Sequence, residues 1–223
     1  MKRLLFSAFL ATTVASFAHA QQLKTSGTSA KDIVPTGWYT HEATGDLNKD
    51  GIADLAIIAT PDFKEHLHKR EDGYVFNFNQ PILAVYWGNA NGSYNLYKQY
   101  AHIIPHPDSE YIFYEYILNI TDRNVLQIGY STFASAGSGD TGGPTFTFRF
   151  QNGDFELIGY DDTWHSRMTG EAHEESFNFS TYKKAVTTSN VFDASVKPKT
   201  KWSAIPKKPR EKLGGFELDC FEY

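Results

Sequence analysis

Thr145-Phe146-Thr147-Phe148-Arg149-Phe150-Gln151-Asn152-Gly153-Asp154-Phe155-Glu156-Leu157-Ile158-Gly159-Tyr160 decides the fold class. Phe146, Phe148 and Phe150 alternate with Thr145, Thr147 and Arg149. A period of two puts one set on a buried face and the other toward water, so this is a half-buried strand. Asn152-Gly153 is the strongest short hairpin signal, because both residues tolerate positive φ. Phe155 to Tyr160 is the return strand.

The same grammar recurs on both sides. Upstream, Ile82 to Trp87 is apolar and β-rich, Gly88 to Gly92 is a turn, and Tyr94 to Ile104 is the next strand. Tyr111 to Thr121 and Val125 to Ala134 flank a turn at Asp122-Arg123-Asn124. Trp38 to His41, Leu55 to Thr60 and Phe177 to Val186 complete the set. Residues 62–72 carry the one weak helical signal. The chain is therefore expected to be all-β and mainly antiparallel, a single domain of about nine or ten strands, built as a sandwich, a meander or a partial propeller-like sheet set.

The termini differ from this core. Lys2 and Arg3, the apolar run Leu4 to Phe17 and Ala18-His19-Ala20 read as a secretory signal over residues 1–20, cleaved before Gln21. The run is short of the roughly 20 residues a bilayer core needs, and no later stretch reaches that length, so no membrane span is expected. Residues 21–35 are polar and rich in Gly and Ser, and are expected to form a flexible leader. Residues 36–196 are then the β domain, and 197–223 a basic, Pro-rich C-terminal extension. Seven basic residues lie in 197–212 (Lys197, Lys199, Lys201, Lys207, Lys208, Arg210, Lys212), beside three prolines. Extended, solvated chain pinned by Trp202 and Ile205 accounts for them.

Composition excludes some functions. The full chain has net charge −5, and its first twenty residues hold two basic and no acidic residues. The remainder is more acidic still, whereas nucleic-acid binding needs clustered Lys and Arg. The single Cys220 permits no disulfide within the chain, although an exported compartment would allow one.

The most informative chemistry lies in Gly45-Asp46-Leu47-Asn48-Lys49-Asp50-Gly51-Ile52-Ala53-Asp54. Oxygen-bearing side chains fall at loop positions one, three, five and nine, with Gly at six. Calcium takes six to eight hard oxygen ligands, and alternate side chains of a tight loop can converge on one ion. Asp46, Asn48, Asp50 and Asp54 are the candidate side-chain ligands, and the backbone carbonyl of Ile52 supplies another. An EF-hand is disfavoured, since its bidentate Glu belongs at position twelve. That residue here is Ile57, inside the buried-strand pattern Leu55-Ala56-Ile57-Ile58.

Gly45 to Ile58, followed by Ile82-Leu83-Ala84-Val85-Tyr86-Trp87-Gly88-Asn89-Ala90-Asn91-Gly92-Ser93-Tyr94, resembles one unit of the FG-GAP or VCBS-type repeat, over roughly residues 36–104. Such repeats form calcium-loop blades in integrin-like propellers and in many secreted bacterial proteins. The resemblance implies Ca2+ as the bound ion and maps the family's ligands onto Asp46, Asn48, Asp50 and Asp54. One acidic loop is present, where propellers repeat the blade several times. The downstream segments, with Gly153-Asp154-Phe155 and Leu157-Ile158-Gly159, are similar to small exported bacterial proteins.

Other signals read as structure. Gly139-Asp140-Thr141-Gly142-Gly143-Pro144 imitates the nucleophile loop of trypsin-like proteases, with Thr141 in place of Ser. No His base and buried Asp are identifiable for it, so it reads as a Gly-rich connection between strands. His66 and His68, His102 and His106, and His165 and His173 match no zinc pattern. Tyr94, Tyr97, Tyr100, Tyr111, Tyr114 and Tyr116 could line a sugar-stacking face, but also suit strand propensity.

The expected function is an exported, non-catalytic calcium-binding β module, a binding or structural protein of the cell envelope or extracellular space. Its partner would be an envelope or extracellular ligand. The alternative is a calcium-dependent envelope hydrolase acting on glycans or peptides, resting on Asp161-Asp162, His165 and Glu171 to Glu175. An enzyme would show a cleft where titratable side chains converge with shifted pKa values.

Overall fold

In the computed structural model, which describes residues 22–223, Asn152 and Gly153 take φ of 53° and 79°. Gln151 and Asp154 pair directly across them, which makes the expected two-residue hairpin. Its arms are long, β10 (Asp140–Gln151) and β11 (Asp154–Ser166). The register slips once, between Thr147 and Phe148. From this hairpin a meander extends both ways through β8 (Ile112–Ile120), β9 (Leu126–Ala134), β12 (Glu171–Asn178), β13 (Lys183–Asn190) and β14 (Lys199–Ala204). The result is a seven-stranded antiparallel sheet in simple sequence order, curled into a half-barrel.

A second antiparallel sheet has the order β1-β7-β6-β3-β2, from β1 (Ser26–Gly27), β2 (Tyr39–Gly45), β3 (Asp54–Thr60), β6 (Ile82–Gly88) and β7 (Tyr94–Ala101). A small hairpin, β4 (Leu67–Lys69) and β5 (Val75–Asn77), interrupts it. The all-β, antiparallel expectation holds. The described chain has fourteen strands, more than the sequence showed, because several are short or were merged.

The two sheets share one core. Ala56, Ile58, Leu83 and Val85 of the five-stranded sheet meet Leu126, Ile128, Phe146, Phe148, Phe155 and Leu157 of the half-barrel. The intervening residues of β3 and β6 are buried too, in a second cluster of Leu55, Ile57, Ala59, Ile82, Ala84 and Tyr86. Leu23, Ala30, Ile33 and Val34 cover that face. The described part of the expected flexible leader is thus an ordered cover. Ser29 caps the short helix Ala30–Ile33 through the Asp32 N–H, and Ser26 and Gly27 pair with β7. The leader's polar composition hid four apolar residues with a face to fill. The proposed signal and its cleavage site lie outside the described residues.

Three other expectations change. Residues 62–72 form a 3-10 turn, Lys64–His66, and the start of the β4–β5 hairpin rather than a helix. The Phe177 to Val186 strand is two strands, broken where Tyr182 takes φ of 55°. The C-terminal extension contributes β14, then turns back so that Leu213 and Leu218 are buried in the shared core. Trp202, expected to pin it, is exposed, while Ile205 packs on the core.

Candidate functional site

The Asp46–Asp54 loop sits where the two sheets approach each other. At Gly45 a Cβ would fall 2.5 Å from Ile120 Cγ2 of β8, so only glycine fits. Asn124, in the β8–β9 turn, donates a side-chain hydrogen bond to the Asp46 carbonyl. Lys49 and Gly51 take φ of 65° and 86°, which folds the loop back on itself. Asp46 accepts the N–H groups of Asp50 and Gly51 at 3.0 Å each. Asn48 Oδ1 accepts Asp50 N–H at 3.0 Å, and Asp50 Oδ1 accepts Ile52 N–H at 2.8 Å. The Asn48 amide donates to Asp50 Oδ2 at 3.0 Å. Each carboxylate oxygen has two lone pairs, so these side chains keep spare acceptor capacity.

Asp54 behaves differently. It is 0% exposed and points beneath the loop. One oxygen accepts Leu47 N–H at 2.8 Å and Asn48 N–H at 3.3 Å, and the other accepts Gly88 N–H at 2.9 Å. Burying a carboxylate is costly unless it is hydrogen-bonded, and here three backbone donors meet it. Burial still pushes the Asp54 carboxyl above its ordinary value; the three N–H groups oppose that and the nearby Asp50 charge adds to it. Gly88 is required at this point, since a Cβ there would lie 2.1 Å from the Ala53 carbonyl oxygen. The structure therefore brings Asp46, Asn48 and Asp50 to the loop itself and places the fourth candidate, Asp54, as a clamp between loop and β6. The loop's carboxylates do not form a tight metal-type group; among the described residues that description fits only Glu217, Asp219 and Cys220, three exposed near-neighbours in sequence.

The half-barrel carries the second cluster. Strand register lays its concave face out in rows. Leu118, Ile128, Phe146, Tyr160 and Phe177 form an apolar row. Next comes Tyr116, Tyr130, Pro144, Asp162 and Glu175, then Tyr114, Thr132, Gly142, Trp164 and His173. Glu175 accepts from Lys184 at 2.7 Å and lies 3.5 Å from the His173 ring. The Lys184 contact, first, and His173 hold the Glu175 carboxyl below its ordinary value. Asp162, its cross-strand neighbour, is shifted up by burial and by Glu175, with His173 opposing. Two carboxyl groups with opposed shifts thus share one face, which sequence reading named only as a scatter of acidic residues. Counting by twos outward from Phe146 and Tyr160 would have placed Gly142, Asp162 and Trp164 on that face.

The remaining candidates separate. Thr141 donates to the Thr132 carbonyl at 2.8 Å. Its segment is part of β10 rather than a connection. His165 faces the opposite side of the sheet from His173, and His66 ends the 3-10 turn while His68 lies in β4 near Glu110 at 3.4 Å. Tyr97 and Tyr100 pack into the core, whereas Tyr114 and Tyr116 border open cavities. In the basic stretch, Arg210 pairs with Glu156 at 3.1 Å and Lys212 with Asp154 at 3.4 Å. Lys207 and Lys208 lie over Tyr182 and Tyr223. No helix among the described residues is long and apolar enough to cross a membrane. Comparison with protein-family models, curated proteins and solved structures returned no match, so the function rests on these sites.

Proposed function

We propose that this chain is an exported, non-catalytic calcium-binding β module that serves as a binding or structural protein of the cell envelope or extracellular space. The observation that carries this reading is the folded form of the Asp46–Asp54 loop, a tight turn that gathers Asp46, Asn48 and Asp50 around its own N–H groups. Those three side chains and the Ile52 carbonyl are hard oxygen donors of the kind calcium takes, with water to complete the shell. Asp54 adds negative charge from beneath and fixes the loop's shape. The FG-GAP or VCBS-type resemblance supports the same assignment.

A ligand that binds only the folded state stabilises it by RT ln(1 + [L]/Kd). Extracellular calcium modules bind at roughly 10⁻⁴–10⁻³ M, so millimolar calcium should contribute about 0.4–1.4 kcal/mol. Melting of wild type and Asp50→Ala, each with calcium and with chelator, is the test. Calcium should raise the wild-type Tm and leave Asp50→Ala nearly unmoved. Equal wild-type Tm values in both buffers, with no calcium heat at millimolar concentration, would refute the reading.

The hydrolase alternative is favoured by one observation, the opposed shifts of Asp162 and Glu175, which suit an acid and a base side by side. Against it, both Glu175 oxygens already face Lys184 and His173. Turnover of envelope glycan or peptide by wild type, abolished in Glu175→Gln, would establish the alternative in place of the binding role.

A further inference from the structure

Beyond the apolar rows, β10 carries no bulk on its concave side. Where Phe146 and Phe148 fill the core, position 142 is glycine, held close to β11, where a Cβ would lie 2.0 Å from the Thr163 carbonyl oxygen. Over this part of the sheet lies a cavity of about 370 Å³ between β8 and β11, in the size range of small-molecule sites. Tyr114 and Trp164 line it, Asp162 faces it, and Asp140 lies at its margin. The Trp164 ring stacks on His173 at 5.5 Å, which holds it upright, and it remains 39% exposed.

Two polar groups in this cavity have no hydrogen-bond partner among the described residues. Among the described residues nothing donates a hydrogen bond to the Asp162 side chain, and Lys184 on β13 is taken by Glu175. The Tyr114 hydroxyl likewise makes no hydrogen bond, unlike Tyr116, whose hydroxyl donates to the Pro105 carbonyl at 2.8 Å. A partly buried carboxylate without a donor beside aromatic faces has an obvious complement. Asp140 and Asp162 belong to no tight metal-type group among the described residues. An ammonium group needs only a few acceptors and is also drawn to aromatic rings.

We propose that this cavity binds a small organic amine in its protonated form, with the ammonium on Asp162 and the adjoining carbon skeleton between Tyr114 and Trp164. Asp140 adds a second negative charge at the mouth. Burial, with Asp108 and Asp219 adding to it, pushes the Tyr114 hydroxyl above its ordinary value; a guanidinium at the rim, Arg167, is engaged by the Ala134 and Ser138 carbonyls and lies over the Phe133 ring. The acidic lining disfavours anionic ligands such as phosphates. The site is separate from the Asp46–Asp54 loop, and neither reading requires the other.

Calorimetric titration of the full exported chain distinguishes ligand sources. Cadaverine against 1,5-pentanediol represents linear amines, and glucosamine against glucose represents amino sugars. At least one amine should bind about tenfold or more tightly than its uncharged counterpart, and that pair names the source. Asp162→Asn and Trp164→Ala should each weaken binding about tenfold. Both variants are read only after their circular dichroism matches wild type, and the amine-to-alcohol ratio on wild type stands without them. Equal binding of amine and alcohol, no binding at millimolar ligand, or full binding by Asp162→Asn would overturn the proposal. Each titration is repeated with chelator, so loss of calcium binding is not mistaken for loss of the amine site.

Discussion

The five-stranded sheet and the half-barrel solve the same burial problem in opposite ways. In β3, residues 54–59 are all buried, and β6 is buried at every position except Trp87. In β10 the core-facing Phe146 and Phe148 alternate with half-buried Thr147 and Arg149. The first sheet is packed on both faces, against the half-barrel and against Leu23, Ala30, Ile33 and Val34. The second is packed on one, and its convex side, with Gln127, Thr147, Arg149, Asp161 and Ser176, is polar. An unbroken apolar strand in an antiparallel sheet therefore signals a second cover elsewhere in the chain, while an alternating strand does not.

The sharpest way to break this comparison is to truncate both sheets on their outer sides. Ile57→Ala, on the covered face, should cost about 2–5 kcal/mol, as should Ile58→Ala on the inner face. Thr147→Ala, on the half-barrel's convex face, should stay within about 0.5 kcal/mol. Urea unfolding gives all three values. A cost for Ile57→Ala as small as that for Thr147→Ala would mean the N-terminal cover contributes nothing.

The loop joining the sheets sharpens the contrast at a smaller scale. Asp54→Ala strands two buried N–H groups, of Leu47 and Gly88, and the partly buried one of Asn48; at about 1–3 kcal/mol for each buried donor, the loss should be about 2 kcal/mol or more with or without calcium. Asp50→Ala, whose lost hydrogen bonds are exposed, should lose little in chelator and a further calcium increment of about 0.4–1.4 kcal/mol in calcium. Chemical denaturation in calcium and in chelator separates the two. Equal losses would show that Asp54 is an ordinary ligand rather than the clamp beneath the loop.

The smallest expected effect is on pH dependence. The Asp54 carboxyl is raised in the folded state. Between its unfolded value, near 3.9, and the raised folded value, the folded chain holds a proton that the unfolded chain has released. Stability contributed by this group is thus full below the unfolded pKa and falls as pH rises through the folded pKa. Asp32, Asp72, Glu156, Glu175 and Asp193 are shifted the other way, so the profile is best taken as wild type minus Asp54→Asn in chelator. A flat or rising difference would contradict the assignment.

By itself the sequence determined the parts whose causes are local. Alternation at Phe146, Phe148 and Phe150 is enough to define a strand face, and Asn152-Gly153 is enough to turn it, because φ preference and period-two burial act over a few residues. The oxygen spacing of Asp46, Asn48, Asp50 and Asp54 was legible for the same reason. What only the tertiary structure decided depends on distant partners. Asp54 faces inward because Gly88 brings an N–H to it from 34 residues away. The polar stretch before Pro35 is ordered because β3 and β6 offer it an apolar face. Asp162, Glu175, Trp164 and His173 meet because strand register, set by packing along the whole half-barrel, puts them on one side of neighbouring strands. No local preference of those residues specifies that meeting.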